Sequence, residues 1–373
     1  MKRFILTAIA LLPVLAAGCL PNATWLPDSS GVVYTGGPHK DTLYLYDLEK
    51  KAPRVLVEKG AGPAWPAVSP DGKRIAVVLR RLEPPCFLEL IADVRLEIIV
   101  FDRDGKELDH SRKVPWAKDH DISAAQVFWV PGRDRLLISS DNVTGVYDLD
   151  TGAVKKRVQT VLPFGNSPIT PDSKGYLAVC GRRDQYIAVV GWDGAERKIK
   201  SEQLAGTEDD EVKMAAGGML FCPYIHASRW EGTRAVADWK NFGLRIDVDK
   251  GEATVDRLKP TFAMDKKPVA AEFRLAGGGI VRAAELSVRT YNSPDLLGSY
   301  RVEVLKAGSD LPKTLMDGAT LFTVFPSPDG KHALVRCTAS TDALSDDKAK
   351  PGQDMLFLID AAGGVADKID LAK

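Results

Sequence analysis

The stretch Ala64-Trp65-Pro66-Ala67-Val68-Ser69-Pro70-Asp71-Gly72-Lys73-Arg74-Ile75-Ala76-Val77-Val78 decides the fold of this chain. An apolar run leads into Pro-Asp-Gly, and a second apolar run follows. Asp-Gly favours a tight hairpin turn, because such a turn needs a positive φ that glycine adopts at little cost. The stretch therefore predicts two short antiparallel strands joined by a turn.

Weaker copies of this pattern recur along the sequence, near Trp25, Phe128, Pro168, Trp230, Phe273 and Phe325. Each copy is followed by a second pair of apolar segments, of which Leu43 to Leu48 and Ile98 to Gly105 are clear examples. The shortest intervals between successive copies match the ~40–45 residues of a four-stranded blade. A hairpin of this size cannot bury its apolar face alone, whereas a ring of hairpins can.

We therefore predict an all-β chain folded as a β-propeller with seven four-stranded blades. Six or eight blades are the alternatives, because the copies at Trp230 and Phe273 are weakly marked. The predicted structural turns combine an aspartate with a glycine, and their residues are Asp28, Gly31, Asp71, Gly72, Asp172, Gly175, Asp329 and Gly330.

The segments Trp65 to Val77 and Phe325 to Val335 resemble the WD40-like PD40 repeat of TolB-type propellers. The resemblance covers residues 24–371 with gaps, and it implies a periplasmic propeller. TolB itself carries an α/β domain before its propeller. Here Trp25 follows Cys19 by only six residues, so we expect no such domain, and the resemblance does not transfer TolB's protein partners to this chain.

The N-terminus predicts export and a membrane anchor. A short cationic head precedes an apolar run from Phe4 to Ala17, which is shorter than a membrane-spanning helix and typical of a signal peptide. Leu15 to Cys19 resembles the lipobox of bacterial lipoproteins, which implies acylation of Cys19; the alternative is an ordinary secretory signal. We assign residues 1–18 to the signal peptide, 19–23 to a short lipid-anchored tether and 24–373 to a single propeller domain.

The predicted location is the bacterial cell envelope, with the propeller facing the periplasm. The residue after Cys19 is Leu20 and not an aspartate. By resemblance to the bacterial sorting pattern, this favours the outer membrane. Lysine and arginine (50) balance aspartate and glutamate (50), and no basic tract is present, so nucleic acid is not expected as a partner.

Four cysteines remain beyond Cys19, widely spaced and without a Cys-x-x-Cys motif: Cys86, Cys180, Cys222 and Cys337. This spacing gives no support to a zinc site. An exported chain can form disulfides, and Cys180 with Cys222 is the pair to consider. Buried free thiols are the preferred interpretation.

The predicted insertions lie in the connections between hairpins and between blades, which share one face of a propeller. They are residues 80–95, 105–124, 197–218, 252–271, 285–299 and 338–353. We expect this long-loop face to bind a partner, an envelope protein or peptide. One inserted segment is apolar for a loop, and its candidate contact residues are Phe87, Leu88, Leu90 and Ile91. Packing against the propeller itself is the alternative for these four residues.

Catalysis finds little support in the sequence. It has no Gly-x-Ser-x-Gly nucleophile elbow, no His-Glu-x-x-His motif and no phosphate-binding loop. Asp119 to Asp121 and the acidic run from Glu208 to Glu211 are interpreted as solvated surface. We predict a non-catalytic binding protein without cofactor or metal. The alternative is a propeller enzyme, a lyase or lactone-type hydrolase with a metal at the central channel.

Overall fold

The computed structural model describes the chain from Ala23 to Leu371 with gaps. The described ranges are 23–37, 42–58, 66–82, 94–113, 125–140, 143–163, 168–180, 186–200, 229–239, 242–257, 265–287, 299–339 and 353–371. All regular elements within these ranges are β-strands, 27 in number. The chain is a seven-bladed β-propeller whose blades are mostly four antiparallel strands, which confirms the predicted fold and the blade number.

The first three blades are formed by twelve strands. Blade 1 contains β1 (Ala23–Trp25), β2 (Gly31–Gly36), β3 (Thr42–Asp47) and β4 (Ala52–Glu58). Blade 2 contains β5 (Pro66–Val68), β6 (Arg74–Leu82), β7 (Val94–Asp102) and β8 (Glu107–Lys113). Blade 3 contains β9 (Ala125–Trp129), β10 (Arg135–Ser140), β11 (Val143–Asp148) and β12 (Val154–Pro163).

Blade 4 departs from the pattern, with β13 (Gly175–Cys180), β14 (Tyr186–Gly191) and β15 (Glu196–Lys198). Its innermost position is filled by the end of β12, where Thr160 pairs with Cys180 and Pro163 pairs with Ala178. One strand is therefore the outer strand of blade 3 at its start and the inner strand of blade 4 at its end. This sharing joins β9 to β15 in one seven-stranded sheet.

The last three blades again have four strands each. Blade 5 contains β16 (Arg229–Glu231), β17 (Arg234–Trp239), β18 (Phe242–Asp247) and β19 (Glu252–Arg257). Blade 6 contains β20 (Val269–Arg274), β21 (Ile280–Ser287), β22 (Ser299–Leu305) and β23 (Pro312–Ala319). Blade 7 contains β24 (Leu321–Pro326), β25 (His332–Thr338), β26 (Asp354–Asp360) and β27 (Val365–Asp370).

The structure divides into two compact units. The first comprises residues 1–163, 172–185 and 190–196, and the second comprises 164–171, 186–189 and 197–373. Within each unit the core lies between neighbouring blades. In the first unit, Ile75 and Val77 pack against blade 1, while Ala76 packs against blade 3. This alternation follows from the two-residue period of a strand, which gives each blade two apolar faces.

The second unit has one large core between blades 6 and 7. Val281 and Ala283 of β21 share it with Val335 and Cys337 of β25. All four side chains are fully or almost fully buried. Burial on this scale stabilises the fold by roughly 25 cal/mol for each Å² of apolar surface removed from water.

Several segments predicted as insertions are partly strand. Arg80 to Arg95 contains the end of β6 and the start of β7, since Leu82 pairs with Val94. The outer strand β8 lies within residues 105–124, and β19 lies within residues 252–271. Backbone pairing does not require apolar side chains, so these polar stretches read as loops in the sequence.

Candidate functional site

Each blade has two edges with different connections. We call the edge that carries the turns inside the two hairpins of a blade the turn edge. We call the opposite edge, where hairpins and blades are joined, the long-loop edge. The turns at the turn edge have six residues or fewer, except in blade 4, where eleven residues lie between β12 and β13. The connections after β6, β8, β15, β19, β21 and β25, all at the long-loop edge, have eleven or more.

The turn edge is organised by side chains that hold the hairpin turns. The Ser69 hydroxyl donates to the Asp71 carboxylate at 2.5 Å, and the backbone N–H of Lys73 donates to the same oxygen at 3.0 Å. These hydrogen bonds hold the pKa of Asp71 below its usual value, the Ser69 bond contributing most. Gly72 follows with a φ of 70°, as a turn of this kind requires.

The same arrangement recurs in blade 7, where Ser327 donates to Asp329 at 2.7 Å and Gly330 has a φ of 69°. Blades 1 and 4 differ in detail. There the positive φ belongs to Ser29 and Ser173.

Gly31 and Gly175 are the first residues of β2 and β13, one position beyond the turns. At Gly31 a Cβ would lie 2.5 Å from the carbonyl oxygen of Tyr46. A Cβ at Gly175 would clash in the same way with the carbonyl oxygen of Val190. These two positions need glycine because a neighbouring backbone approaches closely.

Turns of neighbouring blades contact one another along this edge in the first unit. Arg103, in the outer turn of blade 2, donates to Asp28 at 3.1 Å and to Ser30 Oγ at 2.6 Å in blade 1. Arg54 of β4 donates in return to the carbonyl oxygen of Arg103 at 2.6 Å. Arg74 of blade 2 donates to Asp134 of blade 3, with its guanidinium over the Trp129 ring.

Blades 6 and 7 are joined at the turn edge through backbone. Gly279 N–H donates to the Ala361 carbonyl at 3.1 Å, and Ala307 N–H donates to the Ala362 carbonyl at 2.7 Å. A Cβ at Gly277 would lie 2.7 Å from the carbonyl carbon of Ala361, so this approach also needs glycine. The turn edge is therefore committed to holding blades together, which leaves the long-loop edge as the candidate functional site.

At the long-loop edge of blade 7 a buried ion pair holds the ends of β25 and β26. Arg336 donates to both Asp354 oxygens, at 2.8 Å from Nε and 2.7 Å from Nη2. Thr338 Oγ1 donates to Asp354 at 3.1 Å, and Ala339 N–H donates to the Gln353 carbonyl at 2.8 Å. The two charged side chains are only 7% and 2% exposed. These contacts fix where the connection of residues 340–352 leaves and re-enters the blade.

Blade 6 carries a second buried pair, in which Arg282 Nε donates to Glu303 at 2.8 Å. Arg301, on the same strand as Glu303, donates to Asp317 at 2.7 Å and to Asp265 at 3.0 Å. Both acids raise the pKa of Arg301, the Asp317 hydrogen bond contributing most.

The sequence interpretation missed both buried pairs. Their signal is a charged residue at an alternate position inside an otherwise apolar strand, as in His332-Ala333-Leu334-Val335-Arg336-Cys337-Thr338. The pairing partner cannot be read from the sequence, because it depends on the strand register.

The residues predicted to make contacts beyond the blades lie outside the described part of the structure. They are Cys19, Phe87, Leu88, Leu90 and Ile91, and the same holds for Asp119 to Asp121 and Glu208 to Glu211. Their roles stay predictions.

Among the described residues, no group of three or more His, Cys, Asp and Glu side chains is arranged to hold a metal ion. Within the same ranges, no helix has the length and apolar character to cross a membrane.

Two of the cysteines are described. Cys180 and Cys337 carry thiols, and both side chains are completely buried. Burial raises the pKa of the Cys337 thiol far above its usual value, and the nearby Asp354 carboxylate adds to the shift. A thiol in this state is a poor nucleophile, since the thiolate is the reactive form.

Comparison with known proteins adds little beyond the fold. No family model matches the chain, and no curated protein matches it. A solved dihydro-heme d1 dehydrogenase, NirN, is 15% identical with a TM-score of 0.49; the match covers 94% of this chain and 66% of that one. This chain thus spans slightly less than two thirds of that protein.

Two further solved structures match with lower TM-scores. The hydrazine synthase of Kuenenia stuttgartiensis is 12% identical with a TM-score of 0.37, over 91% of this chain and 76% of that one. The β-propeller domain of the Trilobed protease from Pyrococcus furiosus is 16% identical with a TM-score of 0.44, over 91% and 93%. These likenesses concern the propeller fold, which the strand topology establishes independently.

Proposed function

We propose that this chain is a non-catalytic, lipid-anchored β-propeller of the bacterial envelope that binds an envelope protein or peptide through its long-loop edges. The observation that carries the proposal is the unequal use of the two edges. Six connections at the long-loop edge have eleven or more residues, while all turns of the other edge except that of blade 4 have six or fewer, and several of them are bonded to neighbouring blades. Binding residues are commonly placed on loops that a rigid scaffold positions.

The anchor and the location rest on the N-terminal sequence. Residues 1–18 are proposed as a lipoprotein signal peptide, and acylated Cys19 as the first mature residue. By resemblance, the propeller belongs to the WD40-like PD40, TolB-type group and faces the periplasm, with the outer membrane favoured. Several acyl chains on one residue hold a protein firmly, whereas a single chain does not.

The proposed contact residues lie between β6 and β7, where the sequence contains Phe87, Leu88, Leu90 and Ile91. Large apolar segments mark interaction surfaces where they are exposed. The ion pair Arg336–Asp354 supports a second binding segment, because it fixes both ends of the 340–352 connection on a rigid blade.

Photo-crosslinking in cells tests the proposal. A crosslinkable residue is introduced at Phe87 or Leu90, and as a matched control at Asp104, whose side chain is 90% exposed at the turn edge. We expect a discrete envelope protein to be captured from the first two positions and not from Asp104. Capture of the same protein only from turn-edge positions contradicts the proposal.

Metal analysis of the purified protein tests the alternative of a propeller enzyme. A stoichiometric bound metal together with hydrolase or lyase activity would favour that alternative over a binding protein.

A further inference from the structure

We propose that the interface between blades 5 and 6 opens transiently while both blades stay folded, and that it opens more readily than the interface between blades 6 and 7. All three blades belong to the second compact unit, and β17 of blade 5 lies beside β20 of blade 6. Such opening requires neither a lipid anchor nor a bound partner, so it stands apart from the proposed function.

The two faces of blade 6 have different neighbours. Val281 and Ala283 of β21 pack in the core that is shared with blade 7. Successive residues of a strand point to opposite sides of the sheet, so Arg282 and Ala284 lie on the other face. That face is turned toward blade 5, which precedes blade 6 in the chain and lies beside it.

Arg282 takes a position that is apolar in blade 7. After the first turn of each blade, Ile280 of β21 and Ala333 of β25 are the first residues to pair with the inner strand. Two residues later come Arg282 and Val335. Val335 packs in the core against the preceding blade, so Arg282 has the corresponding place with respect to blade 5.

The cross-strand partners of these two residues differ in the same way. Val335 pairs with Phe357, and both belong to the core between blades 6 and 7. Arg282 pairs with Glu303, and their ion-paired side chains are 9% and 5% exposed. The desolvation of two charges offsets much of their attraction, and a buried pair is often matched or exceeded in stability by apolar residues of similar size. The charged pair therefore contributes less to its interface than Val335 and Phe357 contribute to theirs.

Two buried polar atoms on the same face favour opening. Within the described part of the chain, neither Nη2 of Arg282 nor Oγ of Ser299 has a hydrogen-bond partner. Ser299 is buried, and it lies on the face of Glu303 because Tyr300, between them on β22, packs in the core with blade 7. A buried polar group without a partner is costly, and contact with water removes that cost. Separation of the blades would hydrate both atoms.

The apolar side chains on this face are small. In the described ranges, Val269 of β20 and its cross-strand partner Ala284 form a cluster of their own. The core between blades 6 and 7 contains larger side chains, among them Phe273, Phe322 and Phe357. Hydrophobic stabilisation scales with the apolar area removed from water, so exposing Val269 and Ala284 is the less costly change.

Thiol accessibility tests the opening, because separation of two blades exposes side chains without breaking the hydrogen bonds between strands. A cysteine is placed at Ala284→Cys, on the face toward blade 5, or at the matched control Ala283→Cys, on the face toward blade 7. Both alanines are completely buried. The mature protein also carries Cys86→Ser and Cys222→Ser. Alkylation by N-ethylmaleimide is followed for each thiol by mass spectrometry of its peptide.

We expect Ala284→Cys to react roughly tenfold faster than Ala283→Cys, and both to react more slowly than in the unfolded protein. Arg282→Met together with Glu303→Leu should slow the reaction of Ala284→Cys by roughly the same factor and leave Ala283→Cys unchanged. Arg301, the cross-strand partner of residue 284, is retained in these proteins, so the slower reaction cannot come from loss of its effect on the thiol.

Two results would overturn the inference. One is equal reactivity of Ala284→Cys and Ala283→Cys. The other is a rate at Ala284→Cys that the two apolar substitutions leave unchanged. Thermal unfolding verifies that each protein is folded. If Ala284→Cys does not fold, Val269→Cys probes the same face with a side chain smaller than the original, and Val281→Cys is then its control on the face toward blade 7.

Discussion

Replacement of Asp354 by alanine should destabilise the propeller by roughly 3–5 kcal/mol, the usual cost of breaking a buried ion pair from one side. The substitution removes the acceptor of two Arg336 hydrogen bonds, at 2.8 and 2.7 Å, and of one bond from Thr338 at 3.1 Å. The Arg336 side chain is only 7% exposed, so its charge stays away from water after its partner is lost.

Replacing both partners gives a different expectation. Arg336→Met with Asp354→Leu leaves no unpaired charge, and buried pairs exchanged for apolar residues of similar size are often neutral or stabilising. We expect the free energy of unfolding of the double variant to lie within ~1 kcal/mol of that of the parent. Each single variant, Arg336→Met or Asp354→Leu, should lose several times as much free energy of unfolding.

Equilibrium unfolding in urea measures these free energies, with the slope of each transition as a check that the denatured states are comparable. Asp104→Ala is the matched control, since it breaks an exposed contact with Arg54 at 3.5 Å and should cost less than ~1 kcal/mol. If Asp354→Ala lowers the free energy of unfolding no more than Asp104→Ala does, the Arg336–Asp354 ion pair does not stabilise the blade in the way proposed. If the double variant loses the sum of the two single losses, the coupling between the partners is absent.

Further substitutions and one measurement of thiol reactivity test other parts of the structure. Gly72→Val should cost ~1–3 kcal/mol in urea unfolding because φ is 70° there, and an unchanged stability would show that the turn is misplaced. Gly105→Ala should lower the free energy of unfolding more than Gly72→Ala does, because a Cβ at residue 105 would clash with the backbone of blade 1 at Leu56. The Cys337 thiol should react with Ellman's reagent only after unfolding, because its pKa is raised. Ser69→Ala should move acid unfolding to higher pH: Asp71 has a lowered pKa, so its contribution is present above about pH 3.9 and is lost as pH falls.

The blade number was predictable because each blade repeats a hairpin signal that is local in sequence. Pro-Asp-Gly between two apolar runs marks the first hairpin at Asp71 and Asp329, and both turns have the geometry that the pattern implies. Even the weakly marked copy at Trp230 forms a hairpin, in which Trp230 pairs with Ala235. A local signal suffices here because the two strands of a hairpin are neighbours in sequence.

Features that depend on pairing over longer distances were not predictable. The end of β12 serves blade 4 because Thr160 pairs with Cys180, and nothing in the residues 154–163 distinguishes this strand from the other outer strands. The extension of β6 and β7 was read as a loop, because Arg80, Arg81 and Arg95 interrupt the apolar pattern. Charged residues are compatible with a ladder whose hydrogen bonds are all made by backbone.

The candidate site was predictable only as a face, and the reason is physical. An insertion at the turn edge would separate backbone partners such as Gly279 and Ala361, and each buried bond lost costs about 1–3 kcal/mol. An insertion at the long-loop edge costs little, because doubling the length of a flexible loop adds only ~0.6 kcal/mol of closure entropy.

Stability thus favours the long-loop edge as the place for insertions, so the position and composition of an insertion have to be considered together with its length. What sets one insertion apart is its position and composition. Before the connection between them begins, β6 and β7 stay paired for three residues more than the corresponding strands of blades 1 and 3. A longer paired hairpin costs backbone entropy that a plain loop does not require, about 1–2 kcal/mol for each ordered residue. The paired extension fixes the positions of Leu82 and Val94 relative to the blade, which a plain loop in their place would not do.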